Sequence, residues 1–429
     1  MNKFVASVGL VALSASSIQA VFAQSTAMST PPPKAWNVSA SLRGFYDDNI
    51  NSVSTNKQDS FGYEISPGAS LNLMSDQTSL VLGFLYTFKY YDTKPAGNDQ
   101  KYDQIFSFNA DLNHRFSERY QMAIRDSFVI GQEPDILRPI ATGPFTSFQR
   151  IPGSNIRNYG TIVFDGQFTP IFGIEAGYDN AYYNYKAEGP PIPSPSGTSD
   201  RLEHHIHLDG RWLLSPATTG ILGYQFGLVN YTGDEVIGLL PSGPLMSDNR
   251  NSMSHYAYVG VDHKFNPDFT GSIRGGAQYI DFYNAPPGTT KSDVTPYAVG
   301  SLRYTYAPES YVEAGFSYTR NTTDQVDSSF AGNTFAQDQT SGVLYGTIRH
   351  RIFPRLFGGL IGQYQHSTSN GGVNNGEVDM FYMFGATLEY RFNAYLSADA
   401  GYNFDRLDSD IGGRSFSRNR VYIGLTARY

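Results

Sequence analysis

The sequence predicts an all-β fold, an antiparallel transmembrane β-barrel of about eighteen strands. Three observations carry that expectation. Strand-length segments alternating between apolar and polar residues recur along most of the chain, and the connections between them alternate strictly between very short and long. The composition joins 31 Tyr, 29 Phe and 43 Gly, against only 2 Trp, with a mean hydropathy of −0.34. In a barrel, half of each strand faces lipid and half faces water, which averages the hydropathy out. No stretch approaches the roughly 18 consecutive apolar residues of a membrane-spanning helix.

Ahead of the strands, Lys3, the apolar run Phe4 to Leu13 and Val21-Phe22-Ala23 predict a secretory signal peptide over 1–23, cleaved after Ala23. A short linker over 24–35, with Pro31, Pro32 and Pro33, leads into a barrel over 36–429. Cleavage would remove Lys3 and take the net charge from −8 to about −9. That acidity argues against nucleic acid as a partner. With no cysteine, disulfides and cysteine–zinc sites are excluded. Export of such a barrel implies the outer membrane of a Gram-negative type envelope.

Eighteen segments are read in order: 36–46, 61–73, 78–91, 104–116, 119–131, 156–168, 171–183, 203–214, 217–231, 255–265, 268–282, 294–306, 309–322, 340–352, 355–369, 377–392, 394–406 and 418–429, or sixteen if two marginal ones fail. Most exceed the ~9–11 residues a tilted strand needs to cross a bilayer. Eight connections are tight, among them Ser117-Glu118, Thr169-Pro170, Ser215-Pro216, Asn266-Pro267, Ala307-Pro308 and Asn393; the nine between them run from seven residues (370–376) to twenty-four (132–155). Outer-membrane barrels pair short periplasmic turns with longer extracellular loops in this way. Proline, lacking an N–H, suits the turns and not the strand interiors. Flanking aromatics predict an inner girdle of Phe116, Phe168, Phe172, Phe265, Phe269, Tyr306, Tyr311, Phe392, Tyr395 and Tyr429.

Single strands fix the two faces. In 104–116, Phe106, Phe108, Ala110, Leu112 and Phe116 oppose Ser107, Asn109, Asp111, Asn113 and Arg115. A one-residue slip would put the charges in hydrocarbon, so register is strongly specified. Candidate lumen residues include Arg115, Arg125, Arg157, Arg274, Arg303, Asp111, Glu313 and Glu389; thirteen basic and twelve acidic side chains on the polar face leave the lumen nearly neutral. An eighteen-strand barrel is wide enough for an aqueous channel.

The longest loop, 132–155, holds Glu133, Asp135, Arg138 and Arg150 beside Ile136, Leu137, Ile140, Phe145 and Phe148. Folded inward, it would be a constriction with charged side chains; folded outward, a lid over the mouth. His205 and His207 share the lumen face and present two metal-ligand types, but no third ligand follows at a fixed spacing, so ordinary interior polar residues are the expected reading and no metal or cofactor is assigned. Loop 184–202, rich in proline, reads as a stiff surface segment. Enzyme motifs (G-x-S-x-G, H-E-x-x-H, a P-loop, G-x-G-x-x-G in a βαβ setting) are absent, and the length leaves no room for a plug domain, so neither an enzyme nor a plugged transporter is expected.

The opening strand, Trp36 to Tyr46 followed by Asp47-Asp48-Asn49-Ile50, resembles the start of the β-barrel porin type 2 family, and the strand–Pro–strand turns fit the same family over nearly all of the mature chain. Read from the residues alone, Asp47-Asp48-Asn49 is a solvated strand-to-loop transition. The last strand, Arg420 to Tyr429, resembles the C-terminal strand by which outer-membrane barrels are recognised by their assembly machinery, with Tyr429 as the marking residue. The expected function is a porin-like channel for passive diffusion of small polar solutes. The alternative, implied by the setting of some family members, is a structural or export component of an exopolysaccharide secretion system. Expected partners are outer-membrane lipid and the barrel-assembly machinery, with a homo-oligomer left open.

Overall fold

The computed structural model describes residues 34–93, 100–131, 154–186, 194–240, 243–287, 289–324, 336–372 and 374–429. The first strands are β1 (Trp36–Asp47), β2 (Ser60–Met74), β3 (Thr78–Tyr91), β4 (Tyr102–Arg115), β5 (Tyr120–Gly131), β6 (Asn155–Gln167) and β7 (Phe172–Tyr185). A short helix, α1 (Pro195–Ser199), precedes β8 (Arg201–Ser215) and β9 (Thr218–Tyr231). Then come a small hairpin, β10 (Val236–Leu240) with β11 (Gly243–Met246), and a 3-10 turn at Ser247–Arg250. The wall resumes with β12 (Ser252–Asn266), β13 (Phe269–Asp281), β14 (Ser292–Ala307), β15 (Ser310–Asn321) and β16 (Asp338–Phe353). It ends with β17 (Leu356–Asn370), β18 (Val378–Arg391), β19 (Leu396–Ser409) and β20 (Phe416–Arg428). Eighteen strands form one antiparallel sheet in which each neighbours the next, and β20 pairs with β1 to close it. All eighteen predicted segments are strands of this wall.

Closure rests on the alternation. Inside a bilayer no water is available for an unpaired backbone group, so a strand wall must have no edge. Along the seam, Ser39 to Asp47 pair with Arg428 to Arg420, and Val38 and Tyr429 exchange backbone hydrogen bonds of 3.1 and 2.9 Å. The Trp36 and Tyr429 rings meet at 5.7 Å and the Lys34 ammonium lies 4.0 Å from the Tyr429 centroid, which fastens the inner end of the seam. The outer end is fastened by Asp47-Asp48-Asn49. Asp47 is fully buried and takes a bidentate guanidinium from Arg418; Asp48 accepts from the Asn419 backbone N–H and side-chain amide, both at 2.6 Å. The Asn49 amide donates to Val53 O at 2.8 Å and across the seam to Ser417 O at 2.9 Å. The expectation of a solvated transition is therefore corrected: these side chains point into the seam because β20 supplies a guanidinium and an amide opposite them.

The tight turns share one device. Ser117, Thr169, Ser215, Asn266 and Asn393 each accept, through the side-chain oxygen, a backbone N–H two or three residues on: Arg119 at 3.2 Å, Phe172 at 3.0 Å, Ala217 at 3.3 Å, Asp268 at 2.9 Å and Tyr395 at 2.8 Å. Side-chain turns of this kind replace the ladder bond lost at the reversal. Beside them stands the inner girdle, with Phe265 and Phe269 stacked at 4.4 Å and Phe172 against Trp212 at 5.0 Å. Tyr311 is an exception: on β15 it is Val312 that faces outward, so Tyr311 turns into the lumen, under the Arg303 guanidinium at 4.3 Å. Three histidines join the girdle. His114, His263 and His350 lie 2.8–2.9 Å from the hydroxyls of Thr78, Thr218 and Tyr306 on neighbouring strands.

On the outer face, Leu222, Val259, Ile273, Leu344 and Ile423 are each more than half exposed, within a continuous apolar belt. A belt of that extent exceeds the few hundred Å² a water-soluble surface tolerates, and marks the lipid face. Two changes test these assignments. Leu344→Arg, mid-strand and lipid-facing, should cost about 2–4 kcal/mol and deplete the folded form in a heat-modifiability gel, whereas Thr347→Arg, on the lumen face of the same strand, should fold. Asp47→Ala should lower the temperature at which the folded band converts, since breaking a buried ion pair costs about 3–5 kcal/mol, and Asp47→Asn should lower it less.

Candidate pore and constriction

The inward face carries charges that pair sideways along the wall. Arg211 bridges Glu175 at 2.6 Å and Asp262 at 2.9 Å, and Arg274 also reaches Asp262, at 3.5 Å. Arg125 meets Asp111 at 3.1 Å, Arg303 meets Glu313 at 3.3 Å, and Arg420 meets Asp405 at 2.7 Å. Arg43 joins Asp399 at 3.0 Å to Glu64 at 3.6 Å. Near the inner rim, Glu389 lies 3.0 Å from Arg391, while Glu309, in a turn with φ of 59°, reaches both Arg351 and Arg391. Buried charges must be paired or hydrated, and cross-strand neighbours of opposite sign satisfy that within the wall itself.

Most of the predicted lumen residues sit in this ladder. Arg125 with Asp111 and Arg303 with Glu313 are brought together as pairs; Arg274 and Glu389 belong to separate groups, and Arg115 lies exposed at the inner end of β4. Arg157 is buried near the mouth. His207 lies 3.7 Å from Glu175 and 3.8 Å from Asp179, within hydrogen-bonded wall polarity; among the described residues no group of three or more ligand types is placed to hold a metal.

At the mouth, loops lean inward. Ser194 caps α1 by accepting from the Gly197 N–H at 3.0 Å, and Pro195 starts the helix where its missing N–H costs nothing. Glu235 holds the Ser194 N–H and hydroxyl at 3.1 and 2.9 Å, and the Ser247 hydroxyl donates to Gly197 O at 2.5 Å. The reading of 184–202 as a stiff surface segment is thus corrected for its described part: Ser194 and Ser196 to Asp200 are buried, because the next long loop, with β10, β11 and the 3-10 turn, packs over them. Arg250, 1% exposed, donates to Thr198 O and to Thr323 O, the latter at 3.1 Å, with its guanidinium 4.0 Å over the Tyr231 ring. Arg414 holds Asp324 at 2.7 Å and Asp379 at 2.9 Å.

Thr198, Arg250, Thr323-Asp324 and Arg414 thereby link the β7–β8 loop, through the loops after β9 and β15, to the β19–β20 loop. Those two loops lie eight to ten strands apart around the wall, about 40–50 Å along it at ~4.8 Å per strand. Two arginine side chains cannot follow that path, so the linkage crosses over the lumen as a strap. Burial holds the Arg250 guanidinium below its ordinary pKa, while at Arg414 the same burial is outweighed by Asp324 and Asp379, which raise it. Beneath the strap, Arg201 stacks 3.8 Å over Tyr183 and pairs with Glu203 at 2.6 Å; beside Tyr185 and Tyr256 they line a cavity of about 80 Å³.

Residues 333–429 match the family described as "Putative beta-barrel porin 2". The chain is a closed β-barrel whose last five strands resemble that family. No curated protein sequence matches it. Among solved structures it is similar to the outer membrane protein OpdK of Pseudomonas aeruginosa (14% identity, TM-score 0.43, covering 92% of this chain and 99% of that one). It is similar also to OccAB4 of Acinetobacter baumannii (12%, TM-score 0.43, 92% and 99%) and to the FrpB iron transporter of Neisseria meningitidis (8%, TM-score 0.45, 93% and 82%).

The predicted constriction residues Glu133, Asp135, Arg138 and Arg150 lie outside the described residues. The strap was missed because Arg250, Asp324 and Arg414 stand in loops, where periodicity carries no information; Arg43, Glu64 and Arg201 continue the lumen phase of their strands and were open to that reading. Arg414→Ala should free the loops it ties, at a local cost of about 3–5 kcal/mol, and render the folded barrel susceptible to limited proteolysis at the segment after β15. Arg414→Lys should restore part of the protection. Unchanged cleavage in the alanine variant would show that the strap does not hold these loops.

Proposed function

We propose that the protein is an outer-membrane channel for passive diffusion of small polar solutes, narrowed at its outer mouth by the arginine strap. The observation that carries this reading is the continuous, charge-paired lumen face inside a closed eighteen-strand wall. A wall of that strand number encloses more space than its own side chains fill. Each ladder guanidinium has a carboxylate beside it, so the wall offers charged, hydrated surface without a strong bias for either ion sign. An apolar outer belt with short turns on one side supports an outer-membrane setting with those turns toward the periplasm.

Planar-bilayer recording tests the reading. Purified protein should give ohmic single-channel steps with weak ion preference. Replacing Arg250 and Arg414 together with alanine should raise the conductance, since both ties over the lumen are lost. Arg211→Gln removes one positive charge from the wall, leaving Asp262 with Arg274 alone and Glu175 without its guanidinium, and should move the preference toward cations. A protein that folds but never conducts would overturn the passive channel and favour a structural part in a secretion apparatus. Orientation is checked separately: a cysteine at Gly412 should label from outside intact cells, and one at Asn266 should not.

A further inference from the structure

The outer face of β5, β6 and β7 breaks the apolar belt. Asp126, seventh of the twelve residues of β5, faces outward, level with Ala110 on β4 and Gly160 on β6. Among the described residues it is the one carboxylate placed mid-strand on the outer face; Asp281, Arg406 and Asp408 stand at the extracellular ends of their strands. Asp126 lies six residues above Tyr120 of the inner girdle, which at ~3.3 Å per residue and ~45° of tilt is about 14 Å higher. In an apolar band about 25 Å tall this is near the midplane.

Two carboxamides surround it. The Asn158 amide donates to both Asp126 oxygens, at 3.1 and 2.9 Å, and the Asn180 amide reaches Asn158 Oδ1 at 3.5 Å. A carboxylate has about four acceptor positions and an amide nitrogen two donors, so acceptor capacity at Asp126 and donor capacity at Asn180 stay unspent on this face. Hydrocarbon offers nothing to meet them, and an unmet polar group there is costly. Small residues lie level with it, with Ile162 of β6 and Phe128 of β5 at the edge of the patch. Ala110, Gly160 and Ala176 share the patch, and β5 and β7 contribute none of the large, well-exposed apolar side chains that mark the outer face elsewhere.

We infer that this face, centred on Asp126, Asn158 and Asn180, is the contact through which the barrel associates with a second copy of itself in the membrane. The occupant is set by depth and by complementarity. Whatever meets Asp126 must present amide donors near the bilayer midplane, and a second copy does so because its Asn180 lies at the same level. The patch carries both the acceptor and the donors, so it is complementary to itself, and its small residues let the two walls approach.

Mass photometry of the full-length barrel in lipid nanodiscs, with non-denaturing gels of outer-membrane extracts, reads the association state. The wild-type protein should be an oligomer. Asp126→Leu combined with Asn158→Leu should reduce it to a folded monomer that still shows heat-modifiable mobility, while Leu344→Ala, on the opposite side, should leave the oligomer intact. Should the double variant fail to fold, Asn180→Ala alone should weaken the oligomer, and a single cysteine at Ala176 should give a disulfide-linked dimer in native membranes. A wild-type monomer overturns the inference. So does an oligomer insensitive to Asp126 and Asn180, or one in which the patch is covered by a different barrel protein or by lipid headgroups.

Discussion

The rest of this structure depends on the requirement that a strand wall inside a bilayer have no free edge. Seventeen of the eighteen strand pairs join neighbours in sequence and can form locally as hairpins or short connections. The pair β1–β20 joins residues almost four hundred positions apart, and only it converts a sheet into a barrel. The loop-closure entropy of that step falls late and on one seam. Side-chain interactions reinforce that seam along its length: the Asp47–Arg418 fork, Asp48 with Asn419, Asn49 with Ser417, and Trp36 against Tyr429. A run that reads in isolation as a polar strand ending is better understood as half of a clasp whose other half is Phe416 to Arg420.

How far the sequence disclosed the fold follows from what alternation can encode. Strand bounds, strand number and side-chain phase all derive from a period of two, and β3, predicted at 78–91, has those very limits. Turn chemistry is equally local: Thr169 or Asn266 caps its own reversal, so the signal and the structure occupy the same few residues. Tyr311 misled because an aromatic beside a turn was read as girdle without its phase being followed through Val312 and Glu313. The inward loops were beyond such reasoning. Nothing near Arg250 in sequence announces that its partners are Thr198 and Thr323, since those contacts exist only once β7 to β15 have brought three loops to one side of the mouth.

Inside and outside obey the same rule with different solvents. On the lumen face, charges are numerous because many find an opposite charge on a neighbouring strand; the energetic cost of Arg211 is shared between Glu175 and Asp262. On the lipid face no water is present, and polar groups survive where a neighbour spends their hydrogen-bonding capacity within the wall. His114 with Thr78 and Tyr178 with His204 do this as closed pairs. Asp126 does so in part: Asn158 meets both of its oxygens, and what singles it out is the acceptor capacity of a carboxylate that this one amide does not use up.

The division of labour between wall and loops has a consequence for how such a channel can vary. Ladder residues are bound to register: moving Arg303 to another rung breaks a pair and leaves the buried Glu313 carboxylate without its partner, so the wall resists change. The strap is made differently. Arg250 is held by backbone carbonyls, which any sequence at 198 and 323 would present, and Arg414 by two carboxylates, Asp324 in the loop after β15 and Asp379 at the outer end of β18. Aperture can therefore be altered by exchanging loop residues while the closed sheet stays as it is. A wide, nearly neutral wall with its narrowing carried on separable loops is an arrangement in which stability and aperture rest on different residues.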